Sequence, residues 1–121
     1  MQLEFKMIDD ILIICPHGEI DHHFASKIRE EIDGSFDAFK CKDMIFDMTG
    51  VTFADSSGIA IIMGRYKKLK ETGGRVVVCG CSKYMERIFE MAGIFTLIAK
   101  AESLEAAINL FECRGDKDDK E

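Results

Sequence analysis

The chain has 121 residues, 47% of them hydrophobic and 31% charged, a size and balance that suit one globular domain able to bury a core. Its 16 Lys and Arg against 22 Asp and Glu give a net charge of -6, which repels a phosphate backbone, and no basic cluster with interleaved aromatics offsets it, so direct nucleic-acid binding is not expected. No apolar run reaches membrane-spanning length and the N-terminal stretch lacks the basic and apolar regions of a signal peptide, so the expectation is a cytoplasmic protein without membrane contact.

Leu3 to Met7 and Ile11 to Cys15 are apolar-rich runs separated by Asp9-Asp10, the spacing and turn chemistry of a β-hairpin. Phe24, Ile28 and Ile32 then recur at helical spacing, with Asp21 placed to cap the helix they predict. Asp43 to Met48 and Arg75 to Cys79 read as strands, the second β-branched and close to continuously apolar, as in a sheet covered by helices. Between them Ile59, Ile62, Met63, Tyr66 and Leu69 trace a second helix, stopping at Thr72-Gly73-Gly74, where glycine supplies a left-handed cap. Met85, Ile88, Phe89 and Ala92 mark a third helix, begun at Ser82 and closed by Gly93. Phe95 to Ile98 reads as a short last strand, and Leu104, Ala107, Ile108 and Phe111 as a fourth helix. Strands joined through helices cross over and run parallel, so this order predicts a single α/β domain over residues 1–112, a mixed β-sheet covered by about four helices. Residues 113–121 form a charged tail, expected to be disordered.

Several chemistries fail on spacing. His22-His23 and the cysteines Cys15, Cys41, Cys79, Cys81 and Cys113 invite a metal reading, but adjacent helical residues point about 100° apart and Cys79-Gly80-Cys81 has no second pair. An odd number of cysteines in a chain with ample core suits reduced, mostly buried thiols, and no metal or cofactor is expected. Ser56 lacks the preceding glycine of the hydrolase elbow, and no Gly-rich loop precedes a Lys-Ser or Lys-Thr pair, so neither hydrolysis nor nucleotide binding has its motif. The segment Phe53-Ala54-Asp55-Ser56-Ser57-Gly58 is different. One of its small polar residues suffices to cap the helix that follows, which leaves a hydroxyl over at a strand-to-helix turn, where α/β folds gather function. Gly64 is a second anomaly, costing about 1 kcal/mol against alanine inside a helix, and close packing on the sheet is its expected reason.

Gly18-Glu19-Ile20-Asp21-His22-His23, the Asp55-Ser56-Ser57-Gly58 turn, Gly64-Arg65-Tyr66-Lys67, and Gly73-Gly74 leading into Val76-Val77-Val78-Cys79 stand together in one order. In this the chain resembles the STAS domain family of anti-sigma factor antagonists, above all its sporulation branch acting on sigma-F, over nearly its whole length to about Phe111. The resemblance implies a non-enzymatic phosphorylation switch. The unphosphorylated antagonist binds an anti-sigma factor that is a serine kinase and releases the sigma factor, phosphorylation of Ser56 switches it off, and a serine phosphatase resets it. By the same resemblance Asp21, Asp55, Ser56, Ser57, Gly58 and Ile59 form the partner-binding surface. Two alternatives stay open: a subunit of another, stress-response partner-switching module, and a STAS domain that binds a small molecule.

Overall fold

The structure, a computed structural model, describes residues 2–120, with side chains over residues 2–112. Among the described residues the elements run β1 (Gln2–Ile8), β2 (Ile11–Ile20), α1 (His22–Ala38), β3 (Asp43–Asp47), β4 (Val51–Ala54), α2 (Ser56–Lys70), β5 (Val76–Cys79), α3 (Lys83–Met91), a 3-10 turn (Ile94–Thr96), β6 (Ala99–Ala101) and α4 (Leu104–Lys120). The boundary expected after residue 112 and the charged stretch 113–121 fall on side chains outside the described residues.

The sheet order is β1-β2-β3-β5-β6, with β4 also paired to β2. β1 is antiparallel to β2 across the Asp9-Asp10 turn, in which Asp9 has φ 54°, and the other pairings are parallel. The mixed α/β sheet expected from the order of elements is therefore present. Leu12, Ile14, Met44, Phe46, Val76 and Val78 face the core beneath α1, α2 and α3, while Ile11, Ile13, Cys15, Ile45, Val77 and Cys79 face α4 through Ala107. Burial on both faces explains why β5 carries no alternation.

Several expectations shift. β2 does not stop at Cys15 but runs to Ile20: its first half pairs with β3 through Ile14, its second half with β4 from Gly18. Pro16, which has no N–H to give a ladder, falls in the gap between the two partners. β4 was not expected as a separate strand, because four residues with two adjacent exposed positions, Thr52 and Phe53, show no period of two. In α1 the buried residues are Ile28, Ile32 and Phe36, and Phe24, expected in the core, is 41% exposed. In α2 the buried line is Gly58, Ile61, Ile62, Arg65 and Leu69, with Ile59, Met63 and Tyr66 half-buried. Phe95 to Ile98 is not a strand: after Gly93, at φ 79°, the chain makes a 3-10 turn closed by Thr96 Oγ1 donating to the Gly93 carbonyl, and β6 starts only at Ala99.

Arg65 is nearly buried between α1 and α2. Its Nε lies 3.1 Å from Asp33 Oδ1, off the N–H axis, so the contact is an ion pair without a hydrogen bond, and Nη1 has no partner among the described residues. Lys68 adds contacts of 3.6 Å to Asp33 and 3.7 Å to Asp37. The ladder ties the two helices that begin beside each other at the far end of the sheet.

Gly64 does not pack on the sheet: a Cβ built there meets nothing within 4 Å. Close packing therefore does not account for it, and nothing in the fold does. Gly64→Ala is expected to raise unfolding free energy by about 1 kcal/mol, the intrinsic helix preference of alanine, as read from urea denaturation; an unchanged or lower stability would show that the helix needs glycine there.

Candidate functional site

β2 and β4 end level. Ile20 is opposite Ala54, and the Asp55 amide donates to the Ile20 carbonyl at 3.3 Å. Each strand passes through one aspartate into a helix. Asp21, in extended conformation, accepts from the His23 amide at 3.0 Å and caps α1; Asp55, also extended, accepts from the Ser57 amide at 2.8 Å and caps α2. Both caps follow from residue type, since a short carboxylate reaches the orphan amides of a first helical turn. The parallel pairing then sets two helix N-termini, each with positive dipole character, side by side.

The expected site residues divide by exposure. Ser56 is the first residue of α2 and exposed; neither its hydroxyl nor its amide has a hydrogen-bond partner among the described residues. Asp21, Asp55, Ser57 and Ile59 are half-buried. Gly58 is buried and turns inward, where a Cβ would lie 3.3 Å from both Ala54 Cβ and Ile20 Cγ2. Its place is to let the first turn of α2 sit down on the strand ends. The cap is thus Asp55 alone, and Ser56 is the hydroxyl left over.

Three further features were missed in the sequence. Phe24 and Phe53, each a few residues from a capping aspartate, are 41% and 39% exposed, where periodicity had put Phe24 in the core. Ile20 supplies the acceptor that joins the caps. The register between β2 and β4 shifts between Gly18 and Glu19, with Gly18 at φ 100°, and only the Gly18-Glu19 pair in a β run hints at such a bulge.

The histidines and cysteines are placed as follows. The His22 and His23 rings lie 4.3 Å apart on the exposed first turn of α1, and among the described residues no three His, Cys, Asp or Glu converge as metal ligands. Cys15, Cys41, Cys79 and Cys81 are unbridged. Burial pushes the Cys79 and Cys81 thiols up to about 12, with nearby Asp47 and Glu86 respectively adding to it, so both stay protonated and unreactive at neutral pH. Among the described residues no helix is long and apolar enough to cross a membrane.

The STAS domain pattern matches residues 2–107. The chain is 31% identical over 98 residues to the anti-sigma F factor antagonist of Paenibacillus polymyxa, spanning 81% of this chain and 84% of that one. It is 29% identical over 113 residues to the anti-sigma-B factor antagonist of Listeria monocytogenes, spanning 90% and 95%. Among solved structures it is similar to the anti-sigma factor antagonist SpoIIAA in its unphosphorylated form, with TM-score 0.73, 23% identity and coverage of 94% and 99%. The phosphorylated form of the Bacillus cell fate determinant SpoIIAA gives TM-score 0.72, 26% identity and coverage of 91% and 99%.

The geometry separates the cap from the free hydroxyl. Asp55→Ala is expected to cost about 1 kcal/mol by loss of the cap, whereas Ser56→Ala stays within about 0.5 kcal/mol of the wild type, as for a surface position without partners. Chemical denaturation of both variants checks this, and a cost for Ser56→Ala matching that of Asp55→Ala would mean the hydroxyl shares the cap.

Proposed function

The chain belongs to the STAS domain family, among its anti-sigma factor antagonists, and from that footing we propose that it is the unmodified partner of an anti-sigma serine kinase, switched off by phosphorylation of Ser56. The observation that carries this reading is the free, exposed Ser56 hydroxyl beside two aspartate-capped helix starts. A kinase needs a hydroxyl held in place but not engaged, and Ser56 is that hydroxyl. Support also comes from SpoIIAA, which shares this fold and is known in unphosphorylated and phosphorylated forms.

The switch acts through charge. Phosphate brings nearly two negative charges to a surface already holding Asp21 and Asp55, while the amide-rich helix starts accommodate an anion without unfolding. Asp21, Asp55, Ser57 and Ile59 line the docking surface around Ser56, and Gly58 beneath it seats the helix start on the strand ends. The protein in this reading is a substrate and a binding partner, not an enzyme; the kinase displaces its sigma factor to bind it, and a serine phosphatase regenerates the binding form in the cytoplasm. Similar identity to sigma-B antagonists supports a stress-response pathway as a second reading.

Incubation with ATP and a panel of sigma-F-type and sigma-B-type anti-sigma kinases, followed by mass spectrometry, tests both. Phosphate is expected on Ser56, absent in Ser56→Ala, and the kinase that transfers it assigns the pathway. Phosphate chiefly on Ser57 would refute the site. For binding, Ser56→Asp is expected to weaken kinase affinity by about 1.4 kcal/mol or more, a factor of ten, in calorimetry with ADP present.

The Asp21 carboxylate has two roles to separate. Asn also caps a helix, so Asp21→Asn is expected to keep the melting temperature yet weaken kinase binding through loss of charge. Affinity equal to the wild type across a salt series would leave Asp21 as a cap only.

A further inference from the structure

β1 is the outermost strand on its side of the sheet, hydrogen-bonded to β2 alone over Gln2–Ile8. Along seven residues its other edge presents a row of amides and carbonyls unpaired among the described residues, with neither proline nor bulge to interrupt it. Edges this long are usually covered or blunted. Met7 and Ile8, toward its end, are 39% and 38% exposed.

The sequence of the strand, Gln2-Leu3-Glu4-Phe5-Lys6-Met7-Ile8, is complementary to itself when reversed about Phe5. In an antiparallel pairing centred there Glu4 lies opposite Lys6 of a second copy and Lys6 opposite its Glu4. Leu3 lies opposite Met7, Phe5 opposite Phe5, and Gln2 opposite Ile8. Side chains directly opposite across antiparallel strands stand on the same face. The charged pairs therefore share the face of Ile13 and Cys15, their partners on β2, and the apolar pairs share the face on which Leu3 and Phe5 already pack against the core. A slip of two residues in either direction sets Glu4 against Glu4 or Lys6 against Lys6, so charge selects the centred register. Lys6 makes no ion pair among the described residues, and Glu4 Oε1 lies 3.2 Å from His17 Nε2 between half-exposed side chains, which leaves the other carboxylate oxygen for a cation.

We propose that β1 is a homodimerisation edge: two copies of this chain join antiparallel through Gln2–Ile8 about a two-fold axis at Phe5, making one sheet continuous across both. A two-fold contact must be self-complementary, and this strand is. β3 and β4 lie on the opposite side of β2 from β1, so the pairing leaves both Ser56 turns uncovered, and it holds whether or not Ser56 is a phosphorylation site.

Sedimentation equilibrium of the full chain over a wide concentration range tests it. The wild type is expected to show a concentration-dependent dimer. Glu4→Lys and Lys6→Glu, each placing like charges opposite in two pairs, are each expected to weaken it by about tenfold or more. An equimolar mixture of the two variants restores opposite charges at both pairs and is expected to recover the dimer, as is the double variant carrying both changes. Circular dichroism of each variant confirms that it is folded, and a variant that is not is replaced by its isosteric counterpart, Glu4→Gln or Lys6→Met, expected to weaken the dimer less. A wild type that stays monomeric throughout overturns the proposal. So does a dimer indifferent to the single changes, or a mixture that does not rescue.

Discussion

The Asp55 amide donating to the Ile20 carbonyl, at the last step of the parallel β2–β4 pairing, makes two helices start level with each other. Everything at the candidate site depends on that alignment. The bulge at Gly18-Glu19 lets Glu19 pair with Phe53 where an unbroken register from Gly18 opposite Val51 would call for Thr52. Without the shift Ile20 would stand opposite Phe53, and the two aspartates would enter their helices one step apart and on different faces of the sheet. A local irregularity thus sets the geometry of a surface formed by segments more than thirty residues apart in sequence.

Two aspartates and two serines at this junction divide their tasks by reach. Each carboxylate takes an orphan amide of its own helix and places negative charge at a positive dipole end, which stabilises both starts. Once Asp55 has the Ser57 amide, the Ser56 hydroxyl has no structural task left. It is free because its neighbour caps, so the same short motif both closes the helix and leaves a hydroxyl exposed beside it. Asp33, Arg65 and Lys68 act at a distance on the same arrangement, fixing α1 against α2 farther along the helices that the caps begin. Burying the Arg65 guanidinium costs desolvation that one oblique ion pair only partly offsets, so this contact orients more than it stabilises.

Most of the fold was legible because its elements carry strong periodicity or caps: Asp21, Asp55 and Ser82 each accept from a first-turn amide, and Gly73 and Gly93 take left-handed conformations after their helices. What was not legible depends on partners remote in sequence. β4 is too short to show a period, and the second half of β2 is a strand only because β4 lies beside it. Phe24 keeps helical spacing with Ile28, yet it lies on the exposed first turn of α1 rather than in the core. Of the site, the Asp-Ser-Ser-Gly turn stood out on residue chemistry, but its adjacency to Asp21 came from strand pairing, which local pattern does not encode. Gly64 misled because a glycine in a helix implies crowding, and here the space is open.

Gly58 bears on how the proposed switch would act. Gly58 is required by contact: Ala54 Cβ and Ile20 Cγ2 would both lie 3.3 Å from any side chain there, closer than ordinary packing allows without a shift. A larger residue at position 54 would press on the same spot, so Ala54 and Gly58 together let the helix start rest directly on the strand ends. That turn is pinned by a cap, a cross-strand amide bond and backbone packing, which leaves few conformations for a ligand or modification to select between. A change at Ser56 therefore has little shape to alter. The proposed phosphorylation would act by altering charge on a surface whose geometry is already set, and the proposed kinase would distinguish the two states electrostatically.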